Sequence, residues 1–216
     1  MTFAPPMIGR LLVCALILAA PSFAQDLPPT APELNQGPKQ QAVAEHVMVS
    51  TQLRSSTLAA LEVLERGGNA VDAALTALFV QQVDDYHMVF LFGSMSGLVY
   101  DAESGRVYAL DAIAARPLAS RVESGDPSGV AVGGTVRGSA ALLERFGSRS
   151  WLEILEPAIA AADRGAYVTS FMYRLTAALW EFGFLGDLRQ NAEARAFYMP
   201  DGHLPGVGSR WPMPAL

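Results

Sequence analysis

Apolar positions recur in two rhythms along this chain. After Ser55 and Ser56, Leu58, Leu61 and Leu64 return at a three-residue step, which predicts an amphipathic helix capped by the serines. Gly67 or Gly68 ends it. Asn69 then caps a second helix over 70–81, with Asp72 near its positive end. Val71, Ala73, Ala74, Leu75, Ala77 and Leu78 leave that helix almost no polar face, so it belongs in a core. Further on, Thr135 to Phe146 reads as a helix closed by Gly147. Ser150 and Glu153 form a capping box for the next, which ends at Gly165. Pro157 falls inside that pattern and is expected to kink or split it. Ser170 to Phe182 is one more amphipathic helix.

The other rhythm is that of strands. Val47 to Thr51 is a short apolar run that predicts a strand. Ser96–Asp101 and Arg106–Asp111 are β-rich runs joined by Ala102-Glu103-Ser104-Gly105, a hairpin signature. A further hairpin is expected around the Asp201-Gly202 turn, between Ala196 and Leu204. Helices laid on antiparallel strands give an α+β class.

Composition places these elements in a globular chain. Of 216 residues, 51% are hydrophobic and 17% charged, with a net charge of -6. Lys39 is the single lysine, and no basic stripe with interleaved aromatics occurs, so nucleic acid is not an expected partner. Arg10, the apolar run Leu11–Ala20, Pro21 and the small residues of Ser22-Phe23-Ala24 read as a signal peptide over 1–24. The run is too short to span a bilayer, so no membrane span is expected after cleavage. Residues 25–46 read as a Pro- and Gln-rich disordered lead-in, and 47–216 as the folded domain. Cys14, the single cysteine, lies inside the signal, so no disulfide or thiol nucleophile is expected. Export to a bacterial periplasm is the expected location.

Candidate chemistry is sparse. His46, His87 and His203 are far apart, and none has a second ligand at helical spacing. They are read as structural or exposed; no metal site and no cofactor are expected. No nucleophile elbow, phosphate loop or dinucleotide fingerprint is present. Asp84-Asp85 is read as a solvated loop edge. Gly133-Gly134 is read as a turn that lets the next helix pack closely, with an anion-binding helix start as the alternative. Trp151, Trp180 and Trp211 are assigned to core or interface.

Five ordered segments carry a resemblance. They are LEVLERGGNAVDAA (residues 61–74), the hairpin LVYD through VYALD (residues 98–111), AVGGTVRG (residues 131–138), LEPAIAAADRG (residues 155–165) and ARAFYMPDG (residues 194–202). Together they resemble the N-terminal part of the large subunit of γ-glutamyltranspeptidases. The resemblance implies an N-terminal-nucleophile hydrolase fold, an αββα sandwich, incomplete here without a small-subunit partner. It implies γ-glutamyl small molecules as substrates, attacked by an N-terminal threonine of that subunit. No Thr-Thr or Thr-His pair occurs in this sequence, so no catalytic residue is assigned to it. A separate small-subunit-like chain, or self-association, is therefore the expected partnership; a non-catalytic pseudo-enzyme or binding subunit, or a truncated gene product, is the alternative.

The resemblance also implies an arginine for the substrate carboxylate just past the hairpin. Ile113 stands in that register, and Arg116 comes three residues later. Asp111 and Arg116 are the candidate substrate-binding residues, since a guanidinium can hold a carboxylate in two-point contact. The family's glycine run before the hairpin is represented by Val89, Phe90, Leu91 and Phe92, with small residues kept from Gly93 to Gly97. This loop reads as a cradle that has been filled.

Overall fold

The computed structural model describes residues 41–115, 131–181, 190–211 and 213. The expected signal peptide and most of the lead-in lie outside them. In chain order the elements are α1 (Arg54–Glu65), α2 (Ala70–Asp84), β1 (Met95–Asp101), β2 (Arg106–Ala112), α3 (Thr135–Phe146), α4 (Trp151–Arg164), β3 (Ala166–Tyr167), α5 (Ser170–Glu181), α6 (Ala192–Tyr198) and β4 (Arg210–Trp211).

The apolar helix α2 is the centre. It packs against α1 on one side and α4 on another, and Leu75, Phe79, Val80 and Val83 are buried in one cluster with Ile154, Val168, Met172 and Trp211. Alanines 73 and 77 meet Ala60 of α1, where small side chains let the two axes approach. The joint between α1 and α2 is built as predicted. Gly67 takes φ +81°. Its amide donates to the Leu64 carbonyl, and that of Gly68 to the Val63 carbonyl, the two bonds of a Schellman stop.

Asn69 then caps α2 by accepting from the amides of Val71 and Asp72. Asp72 does more than favour the helix dipole. Fully buried, it accepts from the amides of Asn69 (2.8 Å), Ser148 (2.9 Å) and Arg149 (3.2 Å) and from the Ser148 hydroxyl (2.6 Å). Asn69 Nδ2 also donates to the Phe146 carbonyl at 2.6 Å. One carboxylate thus clasps the start of α2 to the α3–α4 turn. Burial pushes its pKa up, but the Ser148, Asn69 and Arg149 donors outweigh that and hold it below the ordinary carboxylate value.

Strands β1 and β2 pair antiparallel, with Leu98 opposite Ala109 and Tyr100 opposite Val107. Gly105 supplies the positive φ of the turn. The inner face rests on α3, where Tyr108 meets Phe146 at 5.1 Å between ring centroids and the Arg145 guanidinium lies over the Tyr108 ring. The outer face is bare: Leu98 is 76% and Tyr100 67% exposed.

Four expectations change. Val47–Thr51 is not a strand. From Met48 to Thr51 its burial alternates as a strand's would, but it has no backbone partner among the described residues, and a strand exists only in a ladder. The serines do not cap α1 from outside: Ser56 lies in its first turn, donating to the Leu53 carbonyl. The buried side of α1 is Ser56 and Ala60, flanked by Val63 and Leu64, while Leu58 faces out, because small residues are needed against the alanines of α2. Pro157 does not split α4, which runs unbroken through it. Finally, the expected third hairpin is a helix and a turn. Asn191 caps α6 through the amides of Glu193 and Ala194, and this local cap with good helix formers outweighs the β preference of the aromatics. The chain becomes extended again at β4, which pairs with β3 and buries Trp211.

Candidate functional site

Three segments meet beside the open end of the hairpin. They are the loop after α2, the end of β2 and the start of α3. The Gly93 carbonyl accepts from the amides of Gly134 (2.9 Å) and Thr135 (3.2 Å). The Ser94 hydroxyl accepts from the Ala114 amide at 2.9 Å, and Ala115 and Val132 bridge through two backbone bonds. A Cβ on Gly133 would strike the Phe92 backbone, and one on Gly134 the Ala112 carbonyl. Gly133-Gly134 is therefore the close-packing turn expected from the sequence. Because Gly93 occupies two of the first amides of α3, the anion-binding alternative falls away. Gly134→Ala is expected to lower stability by about 1–2 kcal/mol, since the obstructing atoms are backbone and cannot rotate away. A urea midpoint equal to wild type would show that the segments do not cross this closely.

A cleft of about 790 Å³ opens alongside. Its walls include Met48 and Thr51 of the extended N-terminal segment, Ala74 and Ala77 of α2, and Ser94 and Met95 at the start of β1. The loop from Val89 to Phe92 does not simply fill this space. Val89 and Phe90 line the cleft, Leu91 packs on the core, and Phe92 stands 83% in solvent.

The predicted substrate residues are only partly in view. Asp111 is exposed, and its Oδ1 accepts from the Ile113 amide at 3.2 Å, so its carboxylate braces its own turn. Ile113 is 62% exposed and is not among the residues that line the cleft. Arg116 lies outside the described residues. His46 and His203 are exposed.

Asp84 and Asp85 overturn their reading as a solvated edge: both are buried. They close a helix whose last turn, with Val80, Gln82 and Val83, is buried, and that position carries them inside. Asp84 Oδ1, Asp85 Oδ2 and both ring nitrogens of His87 have no hydrogen-bond partner. Burial, with the Asp84 charge added, raises Asp85 to about 6. Burial lowers His87 to about 4 and pushes the Tyr86 phenol above its ordinary value. No hydrogen bond joins His87 to either carboxylate; its ring stacks on Phe171 at 5.8 Å. The signal that could have located the pair is the unbroken apolar pattern of α2, which continues to Val83. Among the described residues no three His, Cys, Asp or Glu side chains gather as metal ligands, and Thr51 bonds only hydroxyls and the Leu53 carbonyl rather than a general base.

Known proteins share this fold. The crystal structure of the Helicobacter pylori γ-glutamyltranspeptidase superposes with a TM-score of 0.70 at 21% identity, covering 80% of this chain and 52% of that one. The fold is the α+β fold of N-terminal-nucleophile hydrolases. Residues 56–216 match the Gamma-glutamyltranspeptidase family profile, and the chain belongs to that family. Among curated relatives it is 29% identical to the acylase ACY 1 proenzyme of Pseudomonas sp. (strain SE83), over 76% of this chain and 32% of the relative. It is 28% identical to the glutathione hydrolase proenzyme of Bacillus subtilis (strain 168), over 62% of this chain and 25% of the relative. The chain thus spans a third or less of the length of these two.

Proposed function

We propose that this chain is the large-subunit-like part of a γ-glutamyltranspeptidase-type protein that transfers or hydrolyses γ-glutamyl groups of glutathione-type substrates. Its threonine nucleophile comes from outside these 216 residues, on a small-subunit-like piece. One observation carries this reading. The extended segment Met48–Thr51 and the start of β1 line one cleft, and neither has a backbone partner on that side among the described residues. Two unpaired edges beside an apolar floor are an opening for further strands. Such a nucleophile can use its own α-amine, with a pKa near 8, as the base. Residues 1–24 support export, and a periplasmic site is proposed with it.

The purified chain alone is expected to release no anilide from a γ-glutamyl anilide above the buffer rate. Adding a small-subunit-like chain is expected to restore release. Activity of the lone chain would overturn the division of labour proposed here. The second reading, a non-catalytic binding subunit, is favoured by the uncharged Ile113 in the register of the expected arginine and by the use of the Asp111 carboxylate within its own turn. A stable complex of the two chains without anilide release is its signature.

A further inference from the structure

A second groove lies on the far side of α1, between that helix and α4, with a volume of about 450 Å³. Its floor is apolar: Leu58 and Ala59 of α1, Val80 of α2, and Pro157 and Ala160 of α4. Its rim carries Arg54, Arg164 and Arg210. Glu62 also lines it, but is paired with Arg66 at 2.5 Å. Three guanidiniums around one groove are conspicuous in a chain of net charge -6. Arg54 has no partner among the described residues, and it sits in the first turn of α1, where the helix dipole disfavours a cation. Arg210 leans on the Tyr167 ring and the Gly165 carbonyl, which holds it at the rim.

The neighbouring face of α4 is the opposite in charge. Leu152, Glu156, Ile159 and Asp163 follow at steps of four, three and four, so they form one stripe. All four are exposed, Leu152 at 71% and Ile159 at 51%. Each chain therefore carries, side by side, an arginine-rimmed apolar groove and an acidic stripe with two aliphatic anchors. A twofold axis can satisfy both at once, because such an interface uses the same patch on each partner.

We infer that two copies of this chain associate through α4, each laying the Leu152–Asp163 stripe into the Arg54–Arg164–Arg210 groove of the other. Carboxylates meet guanidiniums at the rim, and Leu152 and Ile159 cover Leu58. Charge complementarity sets the partner and the register.

Sedimentation of the full chain tests this. Wild type is expected to form a dimer that weakens with added salt. Arg54→Glu/Arg164→Glu makes both patches acidic, and Glu156→Arg/Asp163→Arg makes both basic. Each variant alone is expected to dimerise at least about tenfold more weakly, the scale of one close charge pair. Mixed one to one, they are expected to form a heterodimer, since each groove again faces a stripe of opposite sign. Recovery on mixing also establishes that both variants fold. Ile159→Asp, which leaves the groove intact, is expected to weaken the dimer by a similar factor. A monomeric wild type overturns the inference, even if it captures an acidic peptide in the groove. So does a dimer indifferent to all three variants, which would place the contact elsewhere, such as the bare hairpin face.

Discussion

Asp72→Ala is expected to cost about 3–5 kcal/mol of folding stability, read from urea unfolding. The carboxylate is fully buried and takes four donors. Removing it leaves three backbone amides and a hydroxyl unsatisfied, at roughly 1–3 kcal/mol for each buried group that finds no water. Ser148→Ala removes only one donor and is expected to cost about 1 kcal/mol. The effect carries a pH signature. The folded pKa of Asp72 lies below its ordinary value, so the unfolded chain binds the proton more readily. The contribution is present above about pH 4 and fades as pH falls through the folded value. The gap between wild type and Asp72→Ala should therefore narrow in strong acid. A variant within about 1 kcal/mol of wild type at pH 7 would sink the clasp as the element joining α2 to the α3–α4 turn.

Asp85→Asn is expected to act in the other direction, stabilising the chain by about 2–3 kcal/mol at pH 7.5. Here the folded pKa is raised, to about 6. The folded state holds the proton more tightly than the unfolded state, so stability is full below about pH 4 and is lost as pH rises to 6. His87 opposes it. Its folded pKa of about 4 lies below the ordinary imidazole value, so stability is lost as pH falls from about 6.5 toward 4. The two slopes offset each other in wild type between pH 4 and 6. In Asp85→Asn only the His87 slope remains, and the variant should weaken steeply on acidification through that window. A pH profile parallel to wild type would mean that Asp85 is solvated when ionised.

These two carboxylates divide what was legible in the sequence from what was not. Asp72 was readable as a helix-start residue because Asn69 and the apolar run beside it are local signals. Ser150 with Glu153, and the glycine stops at Gly67 and Gly165, were readable for the same reason. That Asp72 also binds Ser148 was not, since 76 residues separate them. Asp84-Asp85 looked like a loop edge because adjacent acids usually are; only the packing of α2 among the other elements buries them. Val47–Thr51 has the side chains of a strand, yet a strand requires a neighbour that pattern alone cannot supply. The Ala196–Leu204 segment carried a turn signal at Gly202 that was correct, but the cap at Asn191 decided what preceded it. At the candidate site, the close approach at Gly133-Gly134 was legible from the two glycines. The bracing of Asp111 against its own turn was not, because it depends on where the chain goes after the strand.

Helix α2 also has a consequence for how the chain is made. It is apolar on every side, and α4, one of the two helices that cover it, begins at Trp151, long after α2 ends at Asp84. At 5–20 residues per second, synthesis leaves that flank of α2 waiting roughly 3–13 s for its cover. During that interval the nascent chain presents a sticky helix whose α4 flank has no cover. The centre of the finished molecule is therefore the part of the newborn chain most in need of a chaperone's grip.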